Sequence, residues 1–90
     1  MDEQQKARLS KAYKAQRKRA RQREIGWLFT WEQWFSFWKK GGRWKKRGTG
    51  RDDLVMSRKG DKGPYCPSNV VCQTQRNNGL EAAAKRARET

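Results

Sequence analysis

The aromatic residues of this chain are concentrated in one short segment, which limits where a hydrophobic core can form. All five Trp and all three Phe lie within residues 25–44 of the 90-residue sequence. Apolar residues make up only 33% of the chain, and a chain of this length buries only about 60–65% of its unfolded surface even when well folded. We therefore expect one small domain whose core is built around residues 25–44.

The residues around this segment predict a helix that begins at Trp31. Thr30 and Gln33 have the spacing of a capping box, in which each side chain satisfies the backbone N–H of the other residue. Gly41 would end the helix. Four aromatic residues then recur at helical spacing and form one apolar face. They are Trp31, Trp34, Phe35 and Trp38.

Two roles are open to these aromatic rings. Rings stack on unpaired bases, and cations flank the segment on both sides. The helical spacing instead favours a role in the core, because a small domain needs large apolar side chains. We expect most of the rings to be buried, with Trp27, Phe37 and Trp44 the more exposed ones.

Residues 1–24 form a basic segment of different composition. They contain no Gly or Pro and are rich in Ala, Lys, Arg and Gln, which favour helix. The larger apolar side chains with helical spacing are limited to Leu9 and Tyr13, so we expect a basic arm that is helical or disordered and becomes helical against phosphate. The alternative is a solvated flexible tail. The predicted organisation is this arm followed by a small domain over residues 25–90.

The second half of the chain predicts a loop, two strands and a helix. Residues 45–53 are basic and punctuated by Gly, which is typical of a flexible loop. Residues 54–57 and 69–74 read as strands separated by a turn, and residues 75–89 as a helix capped by Thr74. With the aromatic helix, this order predicts an α+β fold that contains a β-hairpin and a C-terminal helix.

The net charge of +14, from 23 Lys and Arg against 9 Asp and Glu, is the main indication of function. Such a surface repels itself unless a polyanion or an acidic partner neutralises it, so we expect nucleic acid, preferably duplex DNA, as the partner. Eleven basic residues of the arm, the loop and the hairpin are the predicted phosphate contacts. They are Arg17, Arg19, Arg21, Arg23, Lys45, Lys46, Arg47, Arg51, Arg58, Lys59 and Lys62.

The absence of His and the presence of only two Cys restrict the chemistry. Imidazole is not available as a base or a metal ligand, and Cys66 and Cys72 alone cannot complete a structural zinc site. We expect both thiols to be small, partly buried side chains in a reducing compartment. The alternative is a redox-sensitive contact across the hairpin, or a half-site completed by another chain.

The sequence also bears on location. No apolar run approaches the about 20 residues that span a membrane, and residues 1–10 lack the apolar stretch of a secretory signal. We therefore expect a cytoplasmic protein without a membrane partner.

Residues 56–78 carry a string of turn residues and asparagines, MSRKGDKGPYCPSNVVCQTQRNN. The string resembles the strand–strand–helix (ββα) module of the HNH endonuclease superfamily, particularly its compact forms in phage and mobile-element proteins. The resemblance implies that Asn69 locks the hairpin by hydrogen bonds, and that Asn77 or Asn78 falls where the family has a metal ligand. The catalytic His of the family would fall within residues 56–58, and this chain has no His.

Three hypotheses of function follow from these observations. The missing His favours nucleic-acid binding without cleavage, with no catalytic residue, metal or cofactor. The second hypothesis is a divergent HNH-type nicking endonuclease, in which Asp61 with Asn77 or Asn78 holds Mg²⁺. The third is a phage-encoded inhibitor in the host cytoplasm, which uses its Trp and Phe residues to anchor on the acidic or DNA-binding surface of a host enzyme.

Overall fold

The fold was analysed in a computed structural model, which describes residues 1–80. Its helices are α1 (Glu3–Gln22), α2 (Trp31–Lys39) and α3, of which residues 75–80 are described. A 3₁₀ segment, Lys40–Lys46, follows α2, and strands β1 (Leu54–Arg58) and β2 (Val70–Thr74) form a two-stranded antiparallel sheet. The chain is therefore a small α+β domain with helices and a β-hairpin. The part of the C-terminal helix predicted at residues 81–89 lies outside the described residues.

Helix α1 packs against the rest of the domain. It begins with a capping box, in which Asp2 Oδ1 accepts from the Gln5 backbone N–H at 2.8 Å and Gln5 Oε1 accepts from the Asp2 N–H at 2.9 Å. Leu9, Tyr13 and Ala20 are buried along one side of the helix. The separate basic arm predicted over residues 1–24 is not confirmed, because this segment contributes side chains to the core.

Tyr13 connects α1 to the aromatic segment. Its hydroxyl donates a hydrogen bond to the Phe29 carbonyl at 3.1 Å. Its ring meets Trp27, Trp31 and Trp34 edge-to-face, with centroids 5.6 to 5.7 Å apart. Edge-to-face packing places the positive edge of one ring against the negative face of another, so these contacts stabilise the helix on the core.

Helix α2 supplies the centre of the core. The predicted capping box is confirmed, since Thr30 Oγ1 accepts from the Gln33 N–H at 3.2 Å and Gln33 Oε1 accepts from the Thr30 N–H at 3.0 Å. Trp34 and Trp38 are completely buried, and Phe29 is also buried. The other rings of residues 25–44 are partly buried. Gly41 lies within the 3₁₀ segment just after α2, and its φ of +62° is the left-handed conformation that a helix stop requires.

Strands β1 and β2 confirm the two predicted strands. Leu54 pairs with Thr74 at one end of the hairpin and Arg58 with Val70 at the other. Met56 and Val70 are buried and join the aromatic core. In the connection between the strands, the Tyr65 N–H donates to the Gly26 carbonyl, and the Tyr65 carbonyl accepts from the Leu28 N–H, both at 2.8 Å. The hairpin is thus held to the segment that joins α1 to α2.

The segment 45–53, predicted as a flexible loop, has a defined hydrogen-bonded conformation. Asp53 Oδ2 accepts from the Gly50 N–H at 2.9 Å. Gln75 Nε2 donates to the Gly48 carbonyl at 2.8 Å, and the Arg76 N–H donates to the Arg51 carbonyl at 3.0 Å. These bonds attach the loop to the start of α3. The prediction of a flexible loop was made from composition alone, and composition does not indicate such bonds.

Candidate nucleic-acid interface

Helix α1 displays a dense array of exposed cations. Because its apolar side chains are few, basic residues occupy most of the remaining helix surface. The four predicted contacts on this helix and at its C-terminal end are all exposed. They are Arg17, Arg19, Arg21 and Arg23. The guanidinium of Arg17 lies over the Tyr13 ring at 5.4 Å.

The loop after α2 adds exposed cations and one half-buried cation. Lys45, Lys46 and Arg51 are exposed. Arg47 instead packs its guanidinium over the Trp34 ring at 5.8 Å and the Trp38 ring at 5.3 Å. Its Nε is buried and has no hydrogen-bond partner among the residues described. Arg47 is therefore partly a packing residue, unlike its exposed neighbours.

The electrostatic environment of Arg47 is unfavourable to its charge. Burial lowers the pKa of the Arg47 guanidinium from its ordinary value, and the positive charge of Arg19 lowers it further. Arginine nevertheless stays protonated at any physiological pH. The protein thus holds two like charges close together at this point.

At the hairpin, Lys59 and Lys62 are exposed, but Arg58 has a structural role. The Arg58 side chain is only 10% exposed and forms an ion pair with Asp61 at 3.1 Å. It also donates to the Gly63 carbonyl at 2.8 Å and lies over the Tyr65 ring at 5.5 Å. Because its side chain is mostly buried and its charge is paired with Asp61, Arg58 is a weaker candidate for phosphate than the two lysines.

Asn69 closes the connection between the two strands. Its Nδ2 donates to the Lys62 carbonyl at 2.7 Å and to the Pro64 carbonyl at 2.9 Å. Both hydrogens of one amide are therefore used to satisfy backbone carbonyls of a loop without regular structure. Asn69 therefore fixes the loop between the strands by hydrogen bonds.

The strand end and the helix start face each other through Ser57 and Asn78. Ser57, buried near the end of β1, lies within hydrogen-bond distance of Asn78 on α3, with its Oγ 2.9 Å from Asn78 Oδ1. Asn77 is exposed, and its backbone N–H donates to Thr74 Oγ1 at 3.2 Å, so Thr74 caps α3 as predicted. Of the two candidate asparagines, the structure brings Asn78 to the end of β1.

The carboxylates near the hairpin have cationic or backbone partners. Asp61 pairs with Arg58, and Asp52 pairs with Arg76 at 3.0 Å. Within residues 1–80, no three His, Cys, Asp or Glu side chains come together in a group that could hold a metal ion.

Cys66 and Cys72 are free, half-buried thiols. Cys66 Sγ lies 3.4 Å from Ser68 Oγ. Burial raises the pKa of the Cys72 thiol, while the charge of Arg43 opposes this shift. Cys72 is therefore held mainly as a neutral thiol at neutral pH, which agrees with the expected packing role.

A cavity of about 270 Å³ brings together cations that are distant in the sequence. It lies between the C-terminal half of α1, the start of the loop and strand β1, and Trp38 also lines it. Arg19, Arg23 and Arg47 line this cavity, and none of the described residues that line it is acidic. The i, i+4 spacing of Arg19 and Arg23 is visible in the sequence. The position of the loop, which brings Arg47 to the same cavity, is not.

Three of the eight aromatic residues that the inhibitor hypothesis uses as anchors are buried, and the other five are partly buried. Trp34 and Trp38 are buried, and the large apolar side chains most exposed within residues 1–80 are Met1, Leu28 and Leu80.

No helix in the described part of the chain is long and apolar enough to cross a membrane. Comparisons with protein-family models, curated proteins and solved structures found no match to this chain.

Proposed function

We propose that this protein binds nucleic acid, preferably duplex DNA, in the cytoplasm and without cleaving it. The observation that carries the proposal is the exposure of nine of the eleven predicted phosphate contacts on a chain of net charge +14. Two ion pairs are present within residues 1–80, Arg58–Asp61 and Arg76–Asp52. Most of the positive charge is therefore available to an external polyanion.

The packing of α1 favours binding to a fixed surface over folding of an arm on its ligand. Tyr13 and Leu9 hold the helix on the core, so the backbone that carries its exposed arginines is already folded. A preformed surface avoids the ordering cost that a disordered arm has on binding. The contacts go to phosphate, which fixes position and affinity but carries no base information.

We also propose that β1, β2 and α3 form an HNH-like ββα unit that has lost catalysis. Three features support this: the order of the elements, the two hydrogen bonds of Asn69, and the contact between Ser57 and Asn78. Ser57 is one of the three residues, 56–58, within which the resemblance expects the catalytic His. A serine hydroxyl without an adjacent base does not take a proton from water at neutral pH, so the unit would bind DNA without hydrolysing it.

The test is a titration of duplex DNA at several salt concentrations with matched variants. With about five phosphates neutralised, log K should fall against log salt with a slope near −4.5. Replacing Arg17 and Arg21 by Gln should make the slope shallower by about 2 units and weaken unrelated sequences alike. Replacing the same two residues by Lys keeps the charge and should leave the slope unchanged.

Two outcomes would contradict the proposal. One is an affinity that does not depend on salt, and the other is an equal slope in the Gln and Lys variants. A host protein that remains bound after nuclease treatment of a lysate, together with salt-insensitive DNA binding, would favour the inhibitor hypothesis instead.

A further inference from the structure

The cavity beside helix α1 has an unusual set of hydrogen-bonding groups. Arg19, Arg23 and Arg47 contribute guanidinium groups to its lining. Arg19 and Arg23 are exposed, whereas Arg47 is half-buried against Trp34 and Trp38. The cavity therefore has cations at two depths and no acidic residue among the described residues that line it.

The charges at this cavity favour an anionic ligand. Like charges on Arg19 and Arg47 repel each other, and an anion between them offsets that repulsion. Arginine matches the oxygens of phosphate in a bidentate manner. The volume of about 270 Å³ is slightly below the usual range for whole small-molecule ligands, which suits a phosphate group with part of its sugar.

We propose that this cavity binds one phosphate group, held by Arg47 on the half-buried side and by Arg19 and Arg23 on the exposed side, with Trp38 in its wall. The source of the phosphate rests on the proposed function and is either an internal phosphodiester or a terminal phosphate of a nucleic acid. This site differs from the diffuse contacts of the other cations, because its geometry is fixed by the core.

The test observes the Trp38 indole directly. The Nε1–H resonance of Trp38 is followed by NMR in the ¹⁵N-labelled full chain, and Trp38→Phe identifies the signal. Inorganic phosphate is added at constant ionic strength. We expect a saturable shift that is weakened more than about tenfold in Arg19→Gln/Arg23→Gln, because two charge-assisted contacts are lost.

The matched control removes the same charge from the same helix. Lys14→Gln/Lys18→Gln should change the phosphate affinity at Trp38 by less than about twofold, since neither residue lines this cavity or belongs to the predicted phosphate contacts. The absence of a saturable shift in the unmodified protein would overturn the site. Equal losses in the two double variants would also overturn it, because they would indicate long-range electrostatics only.

Short duplexes with and without 5′-phosphates then identify the source. Equal shifts of the Trp38 resonance indicate an internal phosphodiester, and a shift with phosphorylated ends alone indicates a terminal phosphate. If inorganic phosphate shifts the signal while no duplex binds at any salt concentration, the cavity stands and the proposed function fails. If duplexes bind with a steep salt slope while phosphate leaves Trp38 unaffected, the proposed function stands and the cavity site fails.

Discussion

At the scale of single residues, Asn69 fixes the loop of the hairpin through the two hydrogens of its side-chain amide. Its amide donates to two backbone carbonyls, so a carboxylate of the same size would place negative charge against both oxygens. We expect Asn69→Asp to lower the free energy of unfolding by about 1–3 kcal/mol, as measured by urea denaturation.

The exposed Asn77 provides a control with the same chemical change. Asn77→Asp should alter stability by no more than about 0.5 kcal/mol, because the side chain is exposed near the start of α3. Equal stabilities for the two variants would show that the hydrogen bonds of Asn69 do not hold the loop.

Trp34 is the residue on which the core depends most directly. It is fully buried, and its indole Nε1 donates to Gln16 Oε1 at 3.0 Å. Trp34→Ala should lower the free energy of unfolding by about 3–5 kcal/mol, since it leaves a large cavity. Leu28→Ala, at a residue that is 65% exposed, should change it by no more than about 0.5 kcal/mol. An unchanged melting temperature for Trp34→Ala, with loss of DNA affinity alone, would favour base stacking over packing.

The sequence pattern predicted the exposure of most cations, but it did not predict that Arg47 and Arg58 are partly buried. The exposure of Arg17 or Lys45 follows from composition, because a small core cannot bury many cations. The burial of Arg47 and Arg58 depends on Trp34, Trp38 and Tyr65, which tertiary folding brings to them. No local pattern distinguishes these two arginines from the others.

At the scale of elements, local signals predicted α2 and the hairpin. The capping box of Thr30 and the helical spacing of the Trp residues lie within one short segment, and the two strands are close in sequence. The docking of α1 was not predictable in this way. It depends on the contacts of Leu9 and Tyr13 with the aromatic core. The remaining residues of the helix have the composition of a solvated arm.

Because of this docking, we expect α1 to be necessary for folding. Removal of residues 1–24 should abolish cooperative thermal unfolding, because it removes Leu9, Tyr13 and Ala20 from the core. Circular dichroism of the full and truncated chains provides the measurement. A variant with Lys14 and Lys18 replaced by Ala removes only exposed cations and should keep a cooperative transition. A sharp transition at the original temperature after truncation would restore the idea of a separate arm.

At the scale of the whole molecule, the proposal of binding without cleavage makes a direct prediction. Supercoiled plasmid should remain uncut when incubated with the protein and Mg²⁺ or Mn²⁺, because the chain offers no imidazole to activate water. Agarose gel electrophoresis provides the measurement. Reproducible nicking that disappears in Asp61→Ala would support the endonuclease hypothesis, whereas nicking that survives this change would indicate contamination.

The pairing of Tyr65 with Gly26 and Leu28 also affects how the molecule reaches its native state. This backbone contact joins positions roughly 40 residues apart, so its formation closes a long loop at a cost in chain entropy. The hairpin and the helix α2 form from near neighbours, which makes them early elements. We expect the docking of the hairpin connection onto residues 26–28 to limit the folding rate, and the completed domain to resist local opening at this junction.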